Sequence, residues 1–266
     1  MNSIALIGLS LASVVFLSLV HVLADLLRWK HQMPQKYWLS FADGISISYV
    51  FLGLLPKIVD GTLAFPESLG PMAEILKHSP FLPLLIGLVA FYGMERLVEK
   101  PVEGSGSHNT TETTGLRVWI HLASYAFYKA IIGYLIVQMN DSVAIVIFVL
   151  SMAVHFLVVD YRMMEIHKGV YQRIGRWALT VAILAGWVIG ATTVISPIVV
   201  TLLLSFLAGG IVLVVLEEEF SREHPSSFPA FVSAVTVYTV VQISRSLRLG
   251  GIFHGIGAFF PKVALP

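Results

Sequence analysis

The sequence predicts an all-α protein that crosses a lipid bilayer about eight times, and three observations support this fold class. Hydrophobic residues make up 56% of the 266 residues, whereas only 12% are charged, compared with about 25% in a typical soluble domain. Long apolar stretches recur along the chain at the length that a membrane helix needs, about 20 residues. Two of these stretches share a short sequence pattern, which is typical of internal repeats.

The apolar stretches delimit eight predicted membrane helices. At a rise of about 1.5 Å per residue, such stretches are long enough to cross the hydrocarbon layer. The first is too long for the core of a signal peptide, and it lacks a basic leader and a small-residue cleavage site. The predicted spans are residues 3–27, 38–59, 80–98, 116–138, 142–165, 174–195, 198–219 and 228–247.

The linkers between the spans are polar or contain proline and glycine. Residues 29–37 include Pro34, and residues 61–79 carry prolines and glycines near each end, with room for a short surface helix. The longest polar stretch, residues 101–114, has no apolar periodicity and is predicted to be a flexible cytoplasmic loop. The predicted units are a first three-helix repeat, this loop, a central two-helix unit and a second three-helix repeat with a C-terminal tail, over residues 1–100, 101–114, 115–168 and 169–266.

The repeated pattern lies in the second and seventh spans. Residues 39–45 read LSFADGI, and residues 204–211 read LSFLAGGI, which is the same pattern with one residue inserted. Spans one to three and spans six to eight would enter the membrane in opposite senses, so the two copies would run in opposite directions. The sequence therefore predicts inverted repeats, with any binding site between them.

Basic residues beside the spans indicate the orientation, because loops rich in Lys and Arg favour the cytoplasm. They cluster in two linkers, as Arg28, Lys30 and Lys36 between spans one and two and as Arg162, Lys168, Arg173 and Arg176 between spans five and six. Both termini are then predicted to be extracytoplasmic, although Arg245 and Arg248 favour the opposite orientation.

The composition argues against several function classes. The net charge is +1 and the basic residues form no stripe, so we expect no nucleic-acid partner. The absence of cysteine excludes a disulfide framework and a thiolate metal site. We also expect no enzyme, because the chain has no His-Glu-x-x-His, no paired catalytic carboxylates in one helix and no Gly-x-Ser-x-Gly.

Several motifs follow one another in a definite order. Span two, SFADGISISYVFLGLLPK, runs from small residues through a leucine-rich stretch to Leu55-Pro56, and span seven, LLLSFLAGGIVLVVLEEEF, has an Ala-Gly pair, an apolar run and an acidic end. Spans four and five are joined by a short turn at residues 139–142, after a polar loop. In this order the motifs resemble the ZIP (zinc and iron permease-like) metal transporters over nearly the whole chain. The resemblance implies a 3+2+3 helix bundle that carries a divalent ion such as zinc by alternating access.

The resemblance also implies a transport site on spans four and five, where the family offers His-x-x-x-Glu or Asp and then His-x-x-x-Glu. The four matching positions here are Ser124, Tyr128, His155 and Val159. Only His155 is a usual metal ligand, and two hydroxyl groups with one imidazole make a poor site for a divalent ion. We therefore expect an altered metal site, with a weakly bound zinc-type ion as the one cofactor considered.

Lys129 lies near the middle of span four, where the family usually has glycine. An ionised side chain at that depth costs about 2.5–3.5 kcal/mol. Two interpretations stay open. Its ammonium group repels a divalent ion from the place where family members hold cations, or Lys129 snorkels or pairs with a carboxylate such as Asp160 for structural reasons.

His155 is the best functional candidate, because imidazole is both a metal ligand and a proton carrier near neutral pH. A single histidine in a membrane helix also often serves only to bond a neighbouring helix. Tyr125 and Tyr128 are expected either to line a central cavity or to pack as ordinary aromatic residues.

Four further residues complete the candidate set. Asp43 and Asp160 are expected at similar depth, where they either line an inner vestibule together or are solvated carboxylates at helix ends. Glu165 and His167, after span five, are peripheral metal-attracting candidates or solvated groups at a helix end.

These observations favour a relative of the divalent-metal transporters with a degenerate site, and the alternative is a non-transporting membrane scaffold or sensor with the same fold. The expected partners are the lipid bilayer and a metal-ion or small-solute substrate, and a homodimer stays open. A hydrated cavity in the midplane would favour transport, whereas a dry midplane filled with Val and Phe would favour the scaffold.

Overall fold

The chain is a bundle of α-helices. The computed structural model describes residues 3–30, 34–99, 110–220 and 226–248, and within these ranges it contains no β-strand. In the described part, seven helices are long and apolar enough to cross a membrane, and a bent pair of helices makes an eighth if it counts as one span. The predicted all-α, multi-pass membrane fold with about eight spans is therefore confirmed, whereas the orientation of the termini stays a prediction.

Ten α-helices follow one another along the described chain. They are α1 (Ser3–Lys30), α2 (Gln35–Tyr49), α3 (Leu55–Leu63), α4 (Pro71–His78), α5 (Leu82–Glu99), α6 (Thr110–Val137), α7 (Ser142–Val170), α8 (Arg176–Thr192), α9 (Pro197–Phe220) and α10 (Phe228–Arg248). A π-helical turn, Val50–Leu54, joins α2 to α3 into one long span, and a second, Tyr171–Gly175, joins α7 to α8.

Two predicted linkers differ from the structure. Residues 110–114 form the first turn of α6, so the end of the predicted flexible loop is helical, and residues 101–109 lie outside the described residues. Residues 166–173, between the fifth and sixth predicted spans, are also helical. In both places polar residues extend a helix beyond its apolar part, which a window of hydrophobicity cannot detect.

The linker between the second and third spans contains the short helix that its composition allowed. Gly70 has a φ of 61°, a conformation that favours glycine, and Pro71 occupies the first position of α4, where proline is well tolerated. The buried residues Ala73 and Leu76 of α4 pack with Phe65. α4 is bent by 81° relative to the apolar part of α5.

The helices pair in a pattern that repeats when the two halves are exchanged. α5 packs along α9, and α10 packs along α2. Exchanging the first three spans with the last three converts one of these pairs into the other. α1 packs along α7, and α8 packs along α6. The same exchange, which also swaps α6 with α7, converts one of these two pairs into the other. Two inverted three-helix repeats around a central helix pair would produce this pattern.

The repeated sequence pattern contributes matching glycines to this arrangement. When the two copies are aligned without a gap from their common Leu-Ser-Phe, Gly44 matches Gly209. A Cβ atom on Gly44 would lie 2.5 Å from the carbonyl oxygen of Phe231 in α10, and one on Gly209 would overlap the carbonyl oxygen of Leu84 in α5. Each glycine therefore allows close approach of a helix from the other half of the chain, as small residues do in membrane bundles.

α7 lies inside the bundle and positions the candidate site. It contacts α1, α2 and α6, and its side chains Phe148, Met152 and Phe156 are fully buried. α10 is peripheral, since Val237, Val240 and Val241 are exposed on its surface. In a bilayer these exposed apolar side chains would face lipid.

Candidate functional site

Polar side chains meet in the middle of the bundle, where α1, α6 and α7 come together. Lys129 lies near the centre of its span, Val118–Val137, and His155 near the centre of Ser142–Ile166. Lys129, His155, His21 and Asp160 are each at most 1% exposed. We call these four side chains the central cluster. Ionisable groups at such depth are expensive, so they indicate a functional site unless packing alone explains them.

His21 and Asp160 form the strongest polar contact of the central cluster. Nδ1 of His21 lies 2.9 and 2.8 Å from the two carboxylate oxygens of Asp160. The imidazole ring also stacks on Phe156, with the ring centroids 4.7 Å apart and the planes inclined by 17°. This contact ties α1 to α7. The Nε2 atom of His21 makes no hydrogen bond within the described residues.

Lys129 is enclosed by the protein and points at an aromatic face. Its Nζ atom lies 3.2 Å from the centroid of the Phe156 ring and 5.4 Å from that of Tyr128. A desolvated cation–π contact is worth about 2 kcal/mol. Nζ makes no hydrogen bond to any described residue, although Lys129 interacts electrostatically with Asp160. Lys129 is fully buried, so the expectation that its side chain snorkels to the membrane interface is wrong. Its interaction with Asp160 is electrostatic and is not a direct hydrogen bond.

Of the four positions that the resemblance to the ZIP transporters selected, the structure joins two. The hydroxyl group of Tyr128 lies 3.1 Å from Nε2 of His155, and Nδ1 of His155 makes no hydrogen bond in the described chain. Ser124 instead donates a hydrogen bond of 2.8 Å to the backbone carbonyl of His121 in its own helix. Val159 is fully buried in an apolar cluster. The four side chains therefore do not converge on one point.

The described residues offer no ready metal centre. Protein sites for zinc use three or more donors held in a fixed geometry. Among the residues that the structure describes, no three His, Asp or Glu side chains form a group that could hold a metal ion. The polar neighbour of His155 is thus a phenol hydroxyl group, and the nearby basic side chain is Lys129.

A second buried cluster lies towards the end of the bundle where α6 begins and α7 ends. Glu95 Oε1 accepts hydrogen bonds from Nε2 of His121 at 3.0 Å and from the hydroxyl group of Tyr125 at 2.9 Å. The guanidinium group of Arg162 lies 3.5 Å from the other carboxylate oxygen of Glu95. We call this group the end cluster. Tyr125, a candidate for the central cavity, belongs to this cluster instead.

Carboxylates of α9 and α2 extend the end cluster. Arg162 bonds Glu217 and lies 3.7 Å from Glu218. Asp43 is 1% exposed, neither of its oxygens makes a hydrogen bond within the described residues, and it interacts electrostatically with Arg162, Glu218 and Glu219. Three helices, α2, α5 and α9, thus bring negative charge to Arg162 of α7. Carboxylates outnumber this arginine, so the end cluster attracts positive charge.

The expectation that Asp43 and Asp160 line one vestibule is therefore wrong in its detail. Asp160 bonds His21 in the central cluster, whereas Asp43 interacts with the end cluster. Both are buried, so neither is a solvated carboxylate at a helix end. Glu165 is exposed and accepts a hydrogen bond from Tyr161, and the side chain of His167 lies outside the described side chains.

The candidate set drawn from the sequence leaves out several residues of these clusters, among them His21, Glu95, His121 and Arg162. Each is an ionisable residue inside or at the edge of an apolar helix, which is the signal that could have selected it. Their partners could not be found in the same way, because His21 and Asp160 are 139 positions apart in the chain.

Comparison with known proteins assigns no family to this arrangement. No protein-family model matches the chain, and no curated protein matches it significantly.

Proposed function

We propose that the chain is a membrane transport protein of ZIP-like architecture whose central site has exchanged the bound divalent ion for a lysine ammonium group. The observation that carries this proposal is the position of Lys129 Nζ, 3.2 Å above Phe156 and in the cluster that contains His155. The exchangeable pairing of the two outer helix triplets supports the same architecture, because alternating access in such folds moves one part of the bundle against the other.

The charge of Lys129 predicts how strongly this site binds a divalent cation. With an effective dielectric constant of about 20 and a separation of about 6 Å, the repulsion between an ammonium group and a doubly charged ion is about 5 kcal/mol. Few donors are present to offset this repulsion, since Tyr128 and Val159 occupy two of the positions where the family has ligands. A zinc-type ion would therefore bind weakly at the centre, and the transported substrate would be a different or more weakly held solute.

Zinc binding to the purified protein in lipid nanodiscs tests this proposal. We expect no stoichiometric zinc at the centre of the wild type. The double variant Lys129→Gly/Val159→Glu removes the charge and adds a carboxylate one turn from His155. It should bind zinc at least about tenfold more tightly, which is about 1.4 kcal/mol. Lys77→Met, which removes a lysine of α4, serves as the control.

Stoichiometric zinc in the wild type, or no gain in the double variant, would contradict the proposed role of Lys129. Transport is measured separately, as uptake of zinc, iron, manganese, cadmium and magnesium into liposomes that contain either protein. A His155→Ala version of each protein reports whether any uptake passes through the centre.

The packing of the midplane favours a second candidate, a membrane scaffold or sensor that does not transport. Phe148, Met152, Phe156 and Val159 are fully buried, so this part of the bundle is filled by apolar side chains. The double variant could bind zinc while neither protein transports any of the five ions. In that case the bundle can hold an ion at its centre but has no route for it across the membrane. That result would favour the second function.

A further inference from the structure

The central cluster and the end cluster are connected along one face of α6. His121, Tyr125 and Lys129 are spaced four residues apart, so they lie above one another on the same side of the helix. Each step rises about 6 Å, and the whole series rises about 12 Å. The first two side chains bond Glu95, and the third reaches the central cluster. Polar groups therefore extend from one end of the bundle to its middle.

On the other side of Lys129 the interior is apolar. Ile132 and Ile136 continue the buried side of α6, and they share one apolar cluster with Phe148 and Met152 of α7. All four side chains are fully buried. A proton needs hydrogen-bonding groups or water to move, and these four side chains carry no N–H or O–H group. The phenols Tyr49 and Tyr238 belong to the same apolar cluster, but their hydroxyl groups make no hydrogen bond within the described residues, so they form no hydrogen-bonded chain there. The central cluster is thus connected to one end of the membrane, which the basic residues predict to be the cytoplasmic end.

Lys129 itself experiences opposing effects. An ammonium group has three N–H donors, and none of them is used within the described residues. Burial without hydrogen bonds favours the neutral amine, whereas the face of Phe156 and the negative charge of Asp160 favour the ammonium form. The two forms differ by one proton, so these opposing effects decide whether Lys129 binds it.

The titratable groups around Lys129 come from several helices. His21 of α1 and His155 and Asp160 of α7 interact with it electrostatically, and Tyr128 is its neighbour in α6. α5 and α9 contribute Glu95, Glu217 and Glu218 to the end cluster. The one charged residue of α8, Arg176, is the first residue of that helix. Among the described titratable groups, Asp160 is the one whose negative charge favours a positive charge on Lys129.

We propose that Lys129 is a proton-binding site in the middle of the membrane that exchanges its proton with water at one end of the bundle only. The ammonium group passes a proton through intervening water to the hydroxyl oxygen of Tyr125, whose own O–H proton moves along its hydrogen bond to the carboxylate of Glu95. Glu95 then passes a proton to the solvent, and the neutral amine remains. The reverse sequence restores the charge. This inference goes beyond the proposed function, because the proton binds and leaves whether or not a solute crosses the membrane.

Proton counting tests the site. The full chain in phosphatidylcholine nanodiscs is brought from about pH 6 to about pH 9, a range that spans ordinary histidine but not ordinary lysine titration, and a calibrated pH dye measures the protons released. Lys129→Met carries no proton, and Lys129→Arg keeps its charge throughout. Both variants should release about one proton fewer than the wild type, whereas the surface variant Lys77→Met should not.

A second measurement separates Lys129 from the neighbouring histidines. Nuclear magnetic resonance of protein labelled with 15N-lysine should show one lysine Nζ signal that shifts over this pH range and is absent from Lys129→Arg. If Lys129 were a permanent positive charge with a structural role, its Nζ signal would not shift over this pH range, and arginine could take its place. An unchanged proton count in both variants, or a Lys129 signal that stays constant with pH, would overturn the proposal.

The direction of exchange is tested by the rate of proton release after a pH jump. Tyr125→Phe and Glu95→Gln should slow the release at least about tenfold, about 1.4 kcal/mol in the barrier, without changing the number of protons. Tyr49→Phe and Tyr238→Phe are matched controls, since these buried phenols contact each other and Phe148. If the controls slow the release as much as Tyr125→Phe does, or if all four variants release protons at the wild-type rate, the one-sided route is wrong.

Discussion

Replacing His21 tests how the central cluster is held together. His21 and Asp160 are both 0% exposed, and two contacts of 2.8 and 2.9 Å join them. In His21→Leu, the carboxylate of Asp160 loses its hydrogen-bonded partner in apolar surroundings. Breaking such a buried pair costs about 3–5 kcal/mol in soluble proteins, and a hydrogen bond between membrane helices averages about 0.6 kcal/mol, so we expect a loss of about 2–4 kcal/mol.

The charge on Lys129 predicts whether a second substitution, at Asp160, restores the stability that His21→Leu loses. His21→Leu/Asp160→Leu removes the unpaired carboxylate, but it also removes the negative charge that faces Lys129. The double variant should therefore stay less stable than the wild type. Adding Lys129→Met eliminates the remaining charge. Because buried ionic groups replaced by apolar residues of similar volume are often neutral or stabilising by about 1–4 kcal/mol, the triple variant should be at least as stable as the wild type.

The free energy of unfolding is measured in mixed micelles by titration with a denaturing detergent, with the helix content followed by circular dichroism. Ser18→Ala is the control on the same helix, since Ser18 is buried and its hydroxyl group has no hydrogen-bond partner among the described residues. It should change the free energy by less than about 0.5 kcal/mol. A triple variant that is less stable than the double variant would refute the electrostatic reasoning, and so would an unaffected His21→Leu.

Two further predictions use the same unfolding measurement. Gly44→Ala and Gly209→Ala should each lose about 1–3 kcal/mol, because a Cβ atom at either position overlaps the facing helix. Gly93→Ala, with nothing within 4 Å of its Cβ position, should be neutral or up to about 1 kcal/mol more stable, and an equal loss there would contradict the packing explanation. Arg162→Ala should cost about 2–4 kcal/mol, because it leaves several carboxylates of the end cluster unbalanced. Arg245→Ala should cost at most about 1 kcal/mol, since its ion pair is 17% and 29% exposed, and a larger loss at Arg245 than at Arg162 would argue against this ranking.

The membrane helices could be predicted because their signal is local. A stretch of about 20 apolar residues has few alternatives to a membrane helix, and Gly70-Pro71 marks the start of α4 by backbone preference alone. Polar residues extend a helix at residues 110–114 and 166–173. There the apolar stretch is shorter than the helix, so the predicted helix boundary was wrong. Hydrogen bonds continue a helix regardless of polarity once the chain has left the hydrocarbon layer.

The candidate site could be predicted only in part, because its contacts join distant segments. The resemblance directed attention to α6 and α7, and Lys129 and His155 do lie near each other there. No spacing in the sequence indicates that His21 bonds Asp160, or that Tyr125 turns to Glu95 and away from His155. These choices depend on the rotation of each helix about its axis, which packing between the helices determines.

The charges of the central cluster explain why a lysine is tolerated at this depth. When Lys129 and Asp160 are both ionised and both histidines are neutral, the charges of the central cluster sum to zero. Deprotonating Lys129 would leave the carboxylate of Asp160 with its hydrogen bond from His21 as compensation. Protonating a histidine while Lys129 is charged would instead create a net positive charge, which the low dielectric of the membrane interior disfavours. Release of a proton from Lys129 thus leaves the hydrogen bond between His21 and Asp160 in place, as the proposed exchange requires.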